Sequence, residues 1–500
     1  VYLAFEKNPA LTRIMYALGL AFLTVAALFL NEQALTNGAA SRRSGRPSAR
    51  LLRRNRVILL CLAAIGAVIL YFDRIRQAAS RAARAALTWI WEAFVWLTNL
   101  FLGLSIGANI LAARHYGAHE DDELSKTVHT SILLSICSGI LLTVVGICGA
   151  RVILEWMQCP DDVLGLATVY LRIYFAGMTA TMLYNFGAAL LRAGGDTQRP
   201  LYFLLAAGVV NVLLNLVFVI KLHMDVAGVA LATVISQCIS AALVIRCLMK
   251  ETGPLRLDLK KLKIHGMKLK QIMQVGIPAG LQGVLFSLAN VTVQSSINSF
   301  DDTVLVAGSS ASSSVENFVY ANVNAFYQAN TAFTSQNFGA GNYKRILKVR
   351  HTAVAAGVLS TSLLGWLAIL FGHQLLGIYS TSPDVVQAGM LRMWFLLILY
   401  GLDALMDVQV GSMRGIGYNV TPMLVSLVGA CVFRLIWLAT VFQIPAYHRI
   451  ETVYIVYPIS WIMTALAHGI CFSFAYRKVV RNFKSMEESP APSEAPTAVS

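Results

Sequence analysis

The sequence predicts an all-α integral membrane protein: two six-helix bundles related by a pseudo-two-fold axis along the membrane normal. Three observations carry that expectation. The chain of 500 residues is 57% hydrophobic and 13% charged, with a mean hydropathy of +0.64, whereas a soluble protein is about one quarter charged. Its apolar residues form continuous runs of spanning length, not the alternating segments of about ten residues that build a membrane β-barrel. Finally, one junction is written twice: RAGGDTQRP from Arg192 and RGIGYNVTP from Arg414 both read Arg-x-x-Gly-x-x-x-x-Pro, 222 residues apart.

Cut into runs of about 17–25 residues, the chain offers thirteen spans in order. They lie at 11–30, 57–72, 87–113, 128–150, 163–191, 201–220, 226–249, 271–297, 312–335, 351–372, 386–410, 422–443 and 452–475. Upstream of the junctions a second block repeats at the same offset: Gly117, Ala118, Lys126, His129 and Thr130 match Gly339, Ala340, Lys348, His351 and Thr352. Two separated blocks without net insertion argue for duplication. The expected halves are 49–253 and 271–480, joined by a basic linker at 254–270. An atypical extension with an extra apolar segment precedes them at 1–48, and a disordered tail follows at 485–500, rich in Pro, Ala, Ser and Glu. Six spans per half is an even number, so the repeats are parallel.

Basic residues decide the sidedness. With the 250–270 loop placed inside, the inner loops and tail hold twenty Lys and Arg residues; the outer loops of the matched region hold Arg151, Lys221 and Arg449. That asymmetry follows the positive-inside rule. Both junctions and the C-terminus then face the cytoplasm. Gly195 and Gly417 permit tight turns, and Pro200 and Pro422 suit the first turn of the next helix. A net charge of +15 thus orients the chain and needs no nucleic acid. The eight cysteines form no CxxC and read as small buried hydrophobes. Walker loops and HExxH are missing from the sequence, and the GxSxG match at Gly103–Gly107 lies inside an apolar run, so an enzyme is not expected. GLSIGA and FGAGN read as helix-packing or turn glycines.

From about Thr98 to Arg481 the chain resembles the multidrug and toxic-compound extrusion (MATE) family. The stretches that carry the likeness are LLRAGGDTQRPLYFLL, AGVVNVLLNLVFVI, MDVAGVALATVISQ, GIPAGLQG, TSQNFGAGNYKR and SMRGIGYNVTP, in the family's order. The resemblance implies two bundles facing a central cleft. It also implies antiport of an organic cation or other amphipathic solute against H⁺ or Na⁺, with no resident cofactor, by a monomer in the cytoplasmic membrane. Residues 1–86 depart from the family. The run RVILLCLAAIGAVILYF lacks its first-span pattern and any acidic residue, and the next loop carries four arginines on the wrong side. An altered reading frame upstream of about residue 86 and a divergent extension both fit.

An exchanger needs ionisable groups inside helices, and a central carboxylate costs about 2.5–3.5 kcal/mol on insertion scales, so it marks a pathway. The acidic candidates are Glu92, Glu316, Asp403 and Asp407; Arg172, Arg434 and His468 are intramembrane bases. Asp403 and Asp407 stand four residues apart on one helix face. At an effective dielectric near ~20 and a separation of about 6 Å, such charges repel by about 3 kcal/mol, so the pair favours holding one proton between them. DALM at 403–406 also resembles the family's acidic tenth-span motif. The alternative for Asp407 is to neutralise Arg414. Glu316 begins a stripe continued by Tyr320, Asn324 and Gln328; Gln282, Asn290, Gln294 and Asn298 form a second stripe on the preceding helix. Such faces must look into protein or water, as a cleft wall or as interhelical hydrogen bonds. In the first half Tyr184, Asn185, Asn211 and Asn215 either line a cavity or pack. Arg172 and Arg392, in the matching stretches LRIYF and LRMWF, are expected to snorkel, and His468 to make an interhelical contact. A flippase for lipid-linked or polysaccharide precursors is the alternative function; it requires a cleft rich in Arg and Lys, of which few are evident.

Overall fold

The computed structural model describes residues 82–156 and 161–487. The expected extension at 1–48, the runs at 11–30 and 57–72, residues beyond 487 and the side chain of Glu92 lie outside the described residues. The first half holds α1 (Ala82–Gly117), α2 (Asp121–Trp156), α3 (Asp161–Ala176), α4 (Met178–Ala193), α5 (Gln198–Asn215) and α6 (Asp225–Lys250). The second holds α7 (Gly266–Asn298), α8 (Thr303–Gly339), α9 (Tyr343–Leu370), the short α10 (Gly372–Gly377), α11 (Pro383–Leu397) and α12 (Gly401–Gly415). It ends with α13 (Val420–Ser426), α14 (Phe433–Ala439) and α15 (Ile450–Glu487). Among the described residues, eight helical segments are long and apolar enough to cross a membrane, and the bent pair α11–α12 makes a ninth. Apolar side chains such as Leu205 and Val212 on α5, and Leu359 and Leu370 on α9, are exposed, as a lipid-facing surface demands. Helix α8 is 37 residues long but is not in that set; most of its Ser, Asn and Gln residues are buried or line a cavity.

The repeat is visible in the backbone. Asp121 and Tyr343, which open α2 and α9, are one repeat apart, as are Asp161 and Pro383 (α3, α11) and Gln198 and Val420 (α5, α13). Packing repeats too: α1 lies on α2 and α4 as α8 lies on α9 and α12, and α6 covers α3 and α4 as α15 covers α11 and α12. The spans expected as continuous at 163–191 and 386–410 each break near the middle. The first breaks at Gly177; the second bends by 49° between Leu397 and Gly401. The helix after each junction also carries a π-helical turn, at Leu216–Lys221 and Leu427–Val432, which inserts an extra residue. At the C-terminus α15 runs to Glu487, so helix replaces the first residues of the segment expected to be disordered.

Both junctions turn on a left-handed glycine, Gly195 at φ +91° and Gly417 at φ +94°, a conformation that costs other residues strain. Nearby, the two halves cross. A Cβ on Gly117 would stand 2.0 Å from the Gln336 carbonyl oxygen, and one on Gly339 would stand 2.0 Å from that of Arg114. Gly117 and Gly339 are repeat partners, and so are Arg114 and Gln336. The contact is therefore self-complementary, like an isologous interface folded into one chain. From this crossing each half reaches the other's junction. Gln336 Nε2 donates to the Ala193 carbonyl at 2.7 Å, while Arg114 Nη2 lies 3.3 Å from where a Cβ on Gly417 would project. Farther along, α1 and α7 pack through paired GxxxG steps, Gly103/Gly107 against Gly276/Gly280, the small-residue contact that lets membrane helices approach closely.

Placing a methyl at either end of the symmetric crossing forces the backbones apart, an overpacking cost of about 1–3 kcal/mol. Gly117→Ala and Gly339→Ala are expected to lower the thermal midpoint of the purified protein, and by similar amounts. Thermal denaturation in detergent checks this: an unchanged midpoint in either variant would show that the crossing is not a close contact.

Candidate functional site

A cavity of about 550 Å³ runs between α7, α8, α12 and α15, with Asn99 and Ile106 of α1 on its far wall. Eight of the expected residues line it: Gln282, Asn290, Gln294, Glu316, Tyr320, Asn324, Asp403 and Asp407. Gln328 and Asn185 line a smaller adjoining chamber of about 180 Å³. Both polar stripes of the second half therefore face the cavity. Within them, Gln294 Nε2 donates to Asn298 Oδ1 at 3.0 Å and Gln328 Nε2 to Asn324 Oδ1 at 3.1 Å.

The break before α12 positions the acids. With the helix restarting at Gly401, Asp403 stands in its first turn, where unpaired N–H groups and the helix dipole favour a negative charge. Its side chain is buried, 6% exposed, and Oδ2 has no hydrogen-bond partner among the described residues. One turn on, Asp407 accepts a hydrogen bond from the Tyr320 hydroxyl at 3.3 Å. Arg414 does not pair with it. Its Nη2 donates to Gln282 Oε1 at 2.8 Å and its Nη1 to the Tyr327 hydroxyl, while Nε is buried without a hydrogen-bond partner among the described residues. On α14 Arg434 donates to Ser460 Oγ at 3.0 Å and lies 4.2 Å above the Tyr457 ring. A buried carboxylate oxygen with no hydrogen-bond partner is uncommon; here it belongs to a residue that lines the cavity.

Four expectations need correction. Glu316 is not a free carboxylate: Arg392 grips it with two donors, Nε to Oε1 at 2.8 Å and Nη2 to Oε2 at 3.0 Å, and Ser312 adds a third. Arg392, expected to snorkel, is instead 6% exposed, because the pair neutralises both groups; its duplicate Arg172 is exposed. Tyr184 does not line either chamber; its hydroxyl donates to the Pro200 carbonyl at 3.2 Å and helps hold the first junction. Asn211 faces α6, donating to Thr233 and Ser236 at 3.4 and 3.5 Å and accepting from Asn215, so that pair packs helices. His468 makes the expected interhelical contact, Nε2 to Ser426 Oγ at 3.1 Å. Sequence reading missed Tyr400 and Trp461 in the cavity wall. It also missed the partnership of Glu316 with Arg392, since no local spacing links residues 76 positions apart.

The MatE family model matches residues 76–217 and 278–439, which together exceed half of the chain. The chain belongs to the MatE family. Similar curated proteins include the probable multidrug resistance protein YoeA of Bacillus subtilis, 25% identical over 406 residues that cover 79% of this chain and 86% of that protein. The probable multidrug resistance protein NorM of Thermotoga maritima is 23% identical, covering 68% of this chain and 74% of the relative. Among solved structures, an outward-facing multidrug resistance MATE family transporter of the MOP superfamily superposes with a TM-score of 0.71 at 19% identity, covering 82% of this chain and 89% of that one. That likeness establishes the two-lobed fold. In this MatE protein the second half supplies the three carboxylates that line the large cavity among the described residues.

If the Glu316–Arg392 pair is structural, removing one member strands the other in the membrane. Arg392→Met is expected to cost about 3–5 kcal/mol, and the double variant Glu316→Leu/Arg392→Met to recover most of it. Thermal stability of the three purified proteins measures the difference. A double variant as unstable as the single one contradicts the pairing.

Proposed function

We propose that this protein exports cationic or amphipathic organic compounds across the cytoplasmic membrane by exchange for H⁺ or Na⁺. The observation that carries the proposal is the placement of Asp403 and Asp407 one helical turn apart on the same cavity, one with an unpartnered buried oxygen. Such a pair takes up a cation or a proton readily, and a cationic solute then competes for the same charge. That competition is what makes exchange obligatory. The multidrug resistance names of the relatives support this direction of transport.

The basic residues of the junctions, the linker at 251–265 and the end of α15 set those segments on the cytoplasmic side. The Gly117–Gly339 crossing then closes the halves on that side, and alternating access opens it by rocking the duplicated bundles about the cavity. The flippase reading needs a strong cationic surplus for pyrophosphate. The large cavity instead balances Glu316, Asp403 and Asp407 against Arg392, Arg414 and Arg434, which disfavours it.

Ethidium efflux in everted vesicles, energised in turn by a pH gradient and by Na⁺, tests the proposal. Wild-type protein is expected to move the dye with one of the two gradients, and Asp403→Asn to abolish that movement while the protein still folds and inserts. Transport that proceeds undiminished in Asp403→Asn would exclude Asp403 from coupling; no energised efflux under either gradient would exclude the export reading.

A further inference from the structure

At the linker end of the molecule one lysine of the second half is sunk into the first. Lys268 stands in the first turn of α7, and its side chain is 3% exposed. Both of its partners belong to the first half. Its Nζ lies 2.8 Å from His115 Nε2 at the end of α1 and 2.5 Å from Glu123 Oε2 on α2. His115 is buried as well, and its Nδ1 lies 2.6 Å from Glu120 Oε2. These contacts fix the tautomer. An ammonium only donates, so Nε2 carries the lone pair and Nδ1 the proton given to Glu120. His115 therefore holds Lys268 only while its ring is neutral.

The other charges of this corner leave that dependence in place. Glu123 also accepts from Lys126 at 2.7 Å; the hydrogen bonds from Lys126 and Lys268 hold its pKa at about 2, so it stays ionised wherever a histidine titrates. Arg114 lies 4.8 Å from the Phe338 ring, and His119, Asp121 and Asp122 are exposed. From α8 and α15, the described residues that share a cavity with His115 are uncharged, Phe338 and Asn482 among them. Burial holds the His115 imidazole below the usual histidine range, with the Glu120 hydrogen bond opposing and Lys268 assisting. The neutral ring, and with it the grip on Lys268, is complete above that lowered value and lost as pH falls through it.

The chain just ahead of α7 is pinned to the same half. The Asp258 N–H donates to His129 Nε2 and the His265 N–H to Thr130 Oγ1, both at 3.1 Å. Helix α7 thus starts from a fixed point, and Lys268 in its first turn sets the angle at which it leaves. The repeat holds no second copy of this arrangement. The twin of His115 is Asn337, whose amide donates to the Phe333 carbonyl at 2.7 Å and does not titrate.

We propose that His115 and Lys268 form a proton-operated clasp between the halves: protonation of His115 sets two cations against each other, expels Lys268 and lets α7 swing away from α1 at the linker end. The transport reading above sets this end in the cytoplasm and moves the halves by rocking; an acid cytoplasm then favours the inward-open state. The clasp rests on that reading for the meaning of the movement, not for the movement itself.

Spin labels at Lys250→Cys and Lys344→Cys, both exposed positions at the linker end of opposite halves, read the movement in full-length protein free of native cysteines. With neither gradient nor substrate, a longer distance is expected to appear as pH falls, with its midpoint below about 6.5, the ordinary imidazole value. The ratio of long to short distances should rise by up to about tenfold per pH unit, the limit for one linked proton. His115→Gln keeps an acceptor for Lys268 and a donor for Glu120 but cannot titrate, so the step should vanish. Lys268→Met should abolish it too, because the protonated ring then has no cation to expel; this variant decides if His115→Gln does not fold. A distance blind to pH in the wild type, or a step that persists in folded His115→Gln, overturns the clasp. So does a step that disappears in Asp403→Asn and survives in His115→Gln, which assigns the movement to the aspartates. A pH-blind distance leaves the export reading untouched, and absent efflux leaves the clasp standing.

Discussion

Burying a charge where water cannot follow is the constraint on which this structure turns. In a bilayer an unpaired ion costs several times what a surface ion pair returns, so each ionised side chain inside the helices needs a partner or a water-filled space. The protein uses both solutions. Glu316 and Arg392 answer each other directly, with Ser309 and Ser312 completing the shell. Asp403, Asp407, Arg414 and Arg434 face a common cavity, where charges of opposite sign offset one another without direct contact. The polar stripes of α7 and α8 arise from the same constraint, since they are tolerable only beside protein or solvent.

Duplication supplied the frame around that cavity. Equivalent helices begin one repeat apart and pack on equivalent neighbours, and the glycines at the crossing touch each other's halves reciprocally. The recurring Arg-x-x-Gly-x-x-x-x-Pro junction has a place in this frame. Each copy makes a left-handed turn between helices, each aims an arginine into the cavity system, and each is met by the helix end of the opposite half. Chemistry then diverged on the shared scaffold. In the second half the arginine has side-chain partners and shares its cavity with carboxylates; in the first half Arg192 has no side-chain hydrogen bond among the described residues.

Much of the site was legible before any coordinates. The spacing of Asp403 and Asp407 puts them on one helix face, and the stripe from Tyr320 to Gln328 cannot face lipid; both are local consequences of helical periodicity. Tyr184 and Asn211 show where that reasoning stops. Each is polar and intramembrane, yet one caps a junction and the other bridges α5 to α6, because a lone polar residue is satisfied equally well by a neighbouring helix. Arg392 was misread through its duplicate: similar sequence at Arg172 faces the surface, whereas Arg392 has Glu316 within reach.

By itself, then, the amino-acid order determined that the chain is helical, crosses a membrane and repeats after 222 residues. Hydropathy, charge asymmetry and motif spacing act over one helix or recur at a constant offset, so they can be read along a line. Tertiary structure alone decided which charges meet. It broke the helix ahead of Asp403, joined Glu316 to Arg392 and left Arg192 without a partner among the described residues. Those outcomes depend on helix crossing angles and on contacts between segments far apart in the chain, and no local spacing encodes them.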